Sequence, residues 1–196
     1  MRELQYGEIL NKEIINLFPN DKQNEIENMI VSDEKGFFID LKEICNILQI
    51  AIEEKIDGFD FSLNDSGYYD SKENKIIINR IESKNRKRFT LAHELGHALL
   101  EHEGISFRTN DKDKYKDIIN KIRETEANKF AAQLLMPRGL VSHLLSEAIK
   151  NKDYNPKNLD EFQVDQLIKE VAKKLKVSEE SLGYSIKNYE LLSDKT

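Results

Sequence analysis

Residues 91–102 read LAHELGHALLEH, and the reading of this stretch decides what the rest of the chain must supply. On an α-helix, residues four apart lie about 40° apart around the axis and one turn apart along it, so His93 and His97 can aim their imidazoles at one ion. Zinc suits the pair, because it accepts neutral histidine nitrogen in a tetrahedral shell. Glu94 is rotated by about 100° from His93, too far to join that shell comfortably but placed to hold a water beside it. Leu91, Leu95 and Leu99 form a separate packing face, which leaves the two histidines off the apolar stripe. Gly96 adds a second signal. An interior helical glycine costs about 1 kcal/mol relative to alanine, so its presence implies that something approaches the backbone closely.

A zinc site needs a third protein ligand, and the stretch IRETEANKFAAQLLMP offers Glu124 and Glu126. Ile122, Glu126, Phe130 and Leu134 recur at four-residue intervals, so Glu126 is read as interrupting a buried apolar stripe, where a carboxylate requires a partner. Glu124 falls with Asn120 and Asn128 on a face read as polar and solvated. Helical phase therefore favours Glu126 as the third ligand. His102 lies about 140° from His97 and is read as a packing or supporting residue. His143 is assigned to ordinary helix packing or surface, and Cys45, among Ile44, Ile47 and Leu48, to buried packing.

The chain has 196 residues, 39% hydrophobic and 34% charged, enough apolar content for a core beneath a well-solvated surface. No apolar run approaches the roughly eighteen residues that a membrane helix needs, and the N-terminus, MRELQYGEIL, lacks the features of a signal peptide. A single cysteine excludes an intramolecular disulfide, so cytoplasm is the expected compartment. The net charge of −6 works against affinity for a phosphate backbone.

Helices are expected over roughly 3–50, including one opened by Asp40 with apolar positions at Leu41, Ile44, Ile47 and Leu48. A short strand is expected at 50–54. Tyr68-Tyr69 and Lys75–Asn79 then read as a hairpin leading into the histidine helix, which spans roughly 83–101. A polar loop over 101–116 precedes a long helix at about 115–136, stopped by Pro137 and Gly139. The remainder reads as helical. Residues 151–158, with Pro156, mark a boundary between a domain of residues 1–150 and a C-terminal helical subdomain of 151–196.

The segments RFTLAHELGHALLEH (88–102) and ETEANKFAAQLLMP (124–137) resemble the ImmA/IrrE family of bacterial metallopeptidases. The likeness extends to SGYYDSKENKIIIN (66–79) and VAKKLKVSEESLGYSIKNY (171–189), and so over most of 35–190. The resemblance implies an α+β, mainly helical zincin-like domain with a small sheet of about three strands and a C-terminal helical part. His93, His97 and Glu126 are then expected to bind zinc, or manganese or iron, and Glu94 to act as the acid/base. The implied activity is that of an endopeptidase, and the implied partner a helix-turn-helix transcriptional repressor encoded nearby as a separate polypeptide. Cleavage of that repressor switches on mobile-element or stress genes.

A different class of protein also suits the motif. In it the metal is structural and the chain sequesters its repressor without hydrolysis, although such a site has no use for Glu94. The C-terminal stretch also resembles a helix-turn-helix opened by Ser178. Glu179 and Glu180 stand at the end that normally approaches phosphates, so direct nucleic-acid binding is not expected. Lys75–Asn79 is a candidate sheet edge for aligning an extended substrate. No oxyanion-stabilising residue is assignable from the sequence.

Overall fold

The computed structural model describes residues 3–56, 66–100 and 112–192, with side chains described from 118 onward in the last segment. In chain order the elements begin with β1 (Leu4–Gln5), α1 (Tyr6–Ile9), α2 (Lys12–Ile15), α3 (Asn20–Glu27) and β2 (Ile30–Val31). There follow α4 (Leu41–Ile47), β3 (Ala51–Lys55), β4 (Gly67–Asp70), β5 (Lys75–Asn79) and α5 (Lys84–Leu99). The chain continues with α6 (Lys112–Leu135), α7 (Arg138–Asn151), α8 (Glu161–Leu175) and α9 (Glu179–Asn188). The architecture is α+β, mainly helical, as expected.

The chain forms two compact units, Leu41–Ala131 and a second made of Met1–Asp40 with Ala132–Thr196. The division differs from the expected boundary at 151–158. Within the second unit α7 buries Leu140, Val141, Leu144, Leu145 and Ala148, and α8 buries Leu167, Val171, Ala172 and Leu175. Neither face is stable in water alone, so the two helices pack on each other. Lys174 Nζ lies 3.4 Å from Glu147 Oε2, and Tyr154 donates to Gln166 Oε1 at 2.9 Å. The polar, proline-bearing stretch between them is an interhelical turn. Asp160 and Gln163 close a capping box at the start of α8, and Ser178 accepts from the Ser181 N–H to cap α9. The same unit holds a two-stranded antiparallel ladder, Leu4↔Val31 and Gln5↔Ile30, in a region expected to be helical throughout.

The Leu41–Ala131 unit is built on a three-stranded sheet of order β3-β5-β4. β4 and β5 form the expected hairpin, antiparallel with Tyr68↔Ile77, while β3 runs parallel to β5. The hairpin turn is fixed by Asp70 Oδ1, which accepts from the Lys72 N–H at 2.9 Å, and by Asn74, whose φ is 48°. Asn74 also accepts from Tyr69 Oη at 2.8 Å and donates to the Gln49 carbonyl at 2.9 Å. Ile76, Ile77 and Ile78 are all buried. Three consecutive buried residues need cover on both faces, which a central strand has and an edge strand lacks. Lys75–Asn79 is therefore the middle of the sheet, and the edges are β3 and β4. That corrects its reading as a substrate-aligning edge.

Helix α5 starts at Ser83, whose Oγ accepts from the Arg86 N–H at 3.3 Å, and lies against β4 and β5 through Thr90, Leu91, Ala92 and Leu95. Cys45 is fully buried with Leu41 and Ile44 on α4, as the packing reading expects.

Candidate metal centre

Two helices and one strand of the Leu41–Ala131 unit supply the site. On α5, His93 and His97 stand one turn apart with their Nε2 atoms 3.1 Å from each other. On α6, Glu124 reaches both, its Oε2 3.2 Å from His93 Nε2 and its Oε1 3.2 Å from His97 Nε2. Among the described residues, these three form the one group able to offer convergent ligand atoms to an ion. A tetrahedral zinc with ligand bonds of about 2.0–2.1 Å requires ligand atoms about 3.3 Å apart, close to the spacings seen. Two imidazole nitrogens and a carboxylate turned inward on one point suit a cation, because at most one proton can be shared between the facing nitrogens. The donor set fits a divalent metal.

Glu124, and not the expected Glu126, stands at the histidines. Glu126 is exposed on another side of α6. The expectation failed because a four-residue repeat is not a single face. Each step drifts by about 40°, so Ile122 and Leu134 end up about 120° apart. Among the described residues of α6, Ala127, Phe130, Ala131, Leu134 and Leu135 are buried. From the centre of that set Glu124 lies about 50° away and Glu126 more than 100°. The face read as polar and solvated is the face that lines the site.

Asn128, one turn beyond Glu124, supplies a further contact that was not foreseen. Its Oδ1 lies 3.1 Å from His93 Nδ1. The amide oxygen only accepts, so Nδ1 carries the proton and the Nε2 lone pair is left facing Glu124. A pair at i, i+4 on α5 thus meets a pair at i, i+4 on α6. The matched spacing was present in the sequence and is the signal that identifies Glu124 and Asn128 together.

Gly96 explains how α6 comes so close. A Cβ there would sit 3.0 Å from Phe130 Cδ1 and 3.3 Å from Ala127 Cα. The approach inferred for this glycine is that of α6. Gly67 does the same for β4, where a Cβ would lie 2.5 Å from Thr90 Cγ2 and 2.8 Å from the Ile77 carbonyl oxygen.

Glu94 is buried and turned toward β4, where its carboxylate accepts from the Tyr69 N–H. Burial, reinforced by the negative charge of Glu124 and partly offset by that N–H, raises its carboxyl from 4.5 to about 7. The N–H is available because of the register. The Asn79 N–H donates to the Ser66 carbonyl at 2.9 Å, so Ser66 and Tyr68 face β5 while Gly67 and Tyr69 present their backbone groups to the other edge, which is open among the described residues. Ser66, Gly67, Tyr68, Arg86, Phe89 and Thr90 continue the lining of a cleft of about 620 Å³ that contains His93, Glu94, His97, Glu124 and Asn128. His102 lies outside the described residues. His143 is in the other unit, within α7, its ring 6.4 Å from that of Phe37, consistent with a packing role.

The fold and the donor set define an α+β zincin-like domain with a two-histidine, one-glutamate cluster and a buried glutamate beside it. The chain belongs to the peptidase family described as the IrrE N-terminal-like domain, whose model matches residues 53–187. It is 31% identical over 128 residues to the radiation response metalloprotease IrrE of Deinococcus radiodurans, covering 61% of this chain and 33% of that protein. It is 41% identical over 81 residues to the protein of the same description from Deinococcus deserti, covering 41% of this chain and 28% of that protein. The chain thus spans about a third of the length of these relatives. A solved structure described as a Mycobacterium tuberculosis transcriptional regulator aligns with a TM-score of 0.45 at 11% identity, over 74% of this chain and 38% of that one.

Proposed function

We propose that the chain is a metal-dependent endopeptidase acting on a protein substrate, with zinc as the metal and Glu94 as the acid/base. The observation that carries this reading is the convergence of His93, His97 and Glu124 beside a buried carboxyl raised to about 7. His93, His97 and Glu124 would hold the ion, and manganese or iron would also accept these donors. When bound, the ion supplies Lewis-acid chemistry, polarising the scissile carbonyl and acidifying a water. Glu94 takes a proton from the attacking water and delivers it to the leaving amide nitrogen, a transfer that suits a carboxyl near neutrality. The open edge of β4, which takes the place of Lys75–Asn79 in this role, pairs with an extended substrate segment and leads it past Glu94.

The metalloprotease description of the Deinococcus relatives supports hydrolysis. The proposed substrate is a helix-turn-helix repressor encoded nearby, whose cleavage derepresses mobile-element or stress genes in the cytoplasm. Among the described residues no helix is long and apolar enough to cross a membrane.

The test is Glu94→Gln in metal-loaded protein mixed with the repressor. Removing the general base is expected to slow cleavage by about 10²–10⁴-fold while metal content is retained. Cleavage at the unsubstituted rate sinks the acid/base role. An intact stoichiometric complex of the two unsubstituted proteins replaces hydrolysis with sequestration.

A further inference from the structure

The cleft carries one charged group that neither the metal donors nor the acid/base accounts for. Arg86 lies seven residues before His93 on α5, which is two turns and about 10 Å along the same helix face. Its Nε and Nη2 donate to Ser66 Oγ at 3.3 and 3.2 Å, and Ser66 Oγ in turn donates to Glu82 Oε1 at 3.0 Å. One side of the guanidinium is therefore anchored at the start of β4 through a neutral hydroxyl. Arg86 lines the cleft and is exposed, and its other N–H groups make no further hydrogen bond among the described residues. The neighbouring Lys87 is engaged elsewhere, with Nζ 2.8 Å from Glu54 Oε2. Among the described residues, Arg86 makes no ion pair. It is the only lysine or arginine among the described residues that line the cleft.

We infer that Arg86 is a specificity residue that binds an acidic side chain of the substrate. The inference rests on the peptidase reading above. The chain runs from Ser66, beside Arg86, into β4 and on to Tyr69, beside Glu94, and so fixes the direction of the cleft. A peptide paired antiparallel to its edge passes Glu94 first and Arg86 afterwards. Extended chain advances about 3.4 Å per residue, so the acidic residue falls about three positions to the C-terminal side of the scissile bond. Planar guanidinium with free N–H groups recognises a carboxylate more selectively than a lysine ammonium does.

The experiment uses the full chain loaded with zinc and a peptide mixture made by digesting a bacterial proteome, with cut sites mapped by mass spectrometry. Unsubstituted protein is expected to enrich Asp and Glu at that position, and Arg86→Glu to enrich Lys and Arg there instead. Matched synthetic peptides differing only by Asp or Lys at the position should differ about tenfold in kcat/KM, carried by KM and reversed in sign by the charge swap. An unchanged cut-site profile in Arg86→Glu overturns the inference, as does an equal loss for acidic and neutral peptides in Arg86→Gln. Retention of the same peptides on immobilised, zinc-loaded Glu94→Gln, with and without Arg86→Glu, separates the two readings. If the unsubstituted protein cuts nothing, the peptidase reading falls. Arg86 is still decided, because charge-dependent retention supports it and charge-independent retention overturns it.

Discussion

At the scale of single residues, the site is three donor groups turned on one point, an arrangement that suits a cation. Glu124 is 58% exposed in its side chain, against 14% for His93 and 24% for His97, so it closes the solvent side of the cluster. Glu124→Ala is expected to lower metal affinity more than Asn128→Ala does, and Glu126→Ala to leave it unchanged. Asn128→Ala, which frees the His93 ring to turn, is expected to weaken binding by about 10–100-fold. Competition against a coloured chelator reads all three, and an effect of Glu126→Ala equal to that of Glu124→Ala would return the third ligand to Glu126.

Glu94 adds a pH dependence whose sign follows from its raised carboxyl. In the metal-free chain the folded state binds this proton more tightly than the unfolded state. The associated stability is fully present below pH about 4.5 and declines as the pH rises to about 7, where the buried group ionises. The loss approaches about 3 kcal/mol for a shift of this size. Denaturant titrations of metal-free protein at pH 5 and pH 8 should show it, and Glu94→Gln should flatten the difference.

At the scale of elements, two glycines set the spacings on which those residues depend. Gly67→Ala forces a methyl into Thr90 and the backbone of β5, and is expected to cost about 1–3 kcal/mol in a thermal or denaturant melt. Gly96→Ala meets the Phe130 ring at 3.0 Å and the Ala127 backbone at 3.3 Å, milder contacts than those at Gly67, and should cost less in stability while weakening metal affinity through the α5–α6 spacing. A larger stability loss at Gly96 than at Gly67 would mean that α6 has less freedom to yield than the ring contact implies. What was legible in the sequence also sorts by element. The hairpin was announced by turn residues at 70–74, and the histidine helix and the stop at Pro137 were equally plain, because each carries strong local chemistry. The ladder of β1 and β2 was not, since strands of two residues have no period to read. KIIIN is not the candidate edge it offered, because unbroken isoleucine marks a strand covered on both faces. Glu124 escapes a four-residue pattern because that series drifts around the helix and is not one face.

At the scale of the whole molecule, every residue of the candidate centre belongs to Leu41–Ala131, whereas the family match runs on to 187. Metal that binds only the native state stabilises by mass action, about 2.7 kcal/mol at a hundredfold excess over Kd. Hydrogen exchange should first register this as slower exchange in β4, α5 and residues 118–131, ahead of α8 and α9. Added protection beginning in α8 and α9 would place the metal elsewhere.

The open edge of β4 has a consequence for what the proposed enzyme can attack. An edge strand reads backbone, and only a segment whose own N–H and C=O groups are unengaged can lie along it. Residues inside a helix or a sheet of a folded protein substrate are therefore invisible to this cleft until they open. The cut falls in a linker or in a stretch that unravels often, and the frequency of that unravelling becomes part of the rate. A substitution that stiffens the proposed substrate far from the severed bond should protect it as well as one at the bond itself.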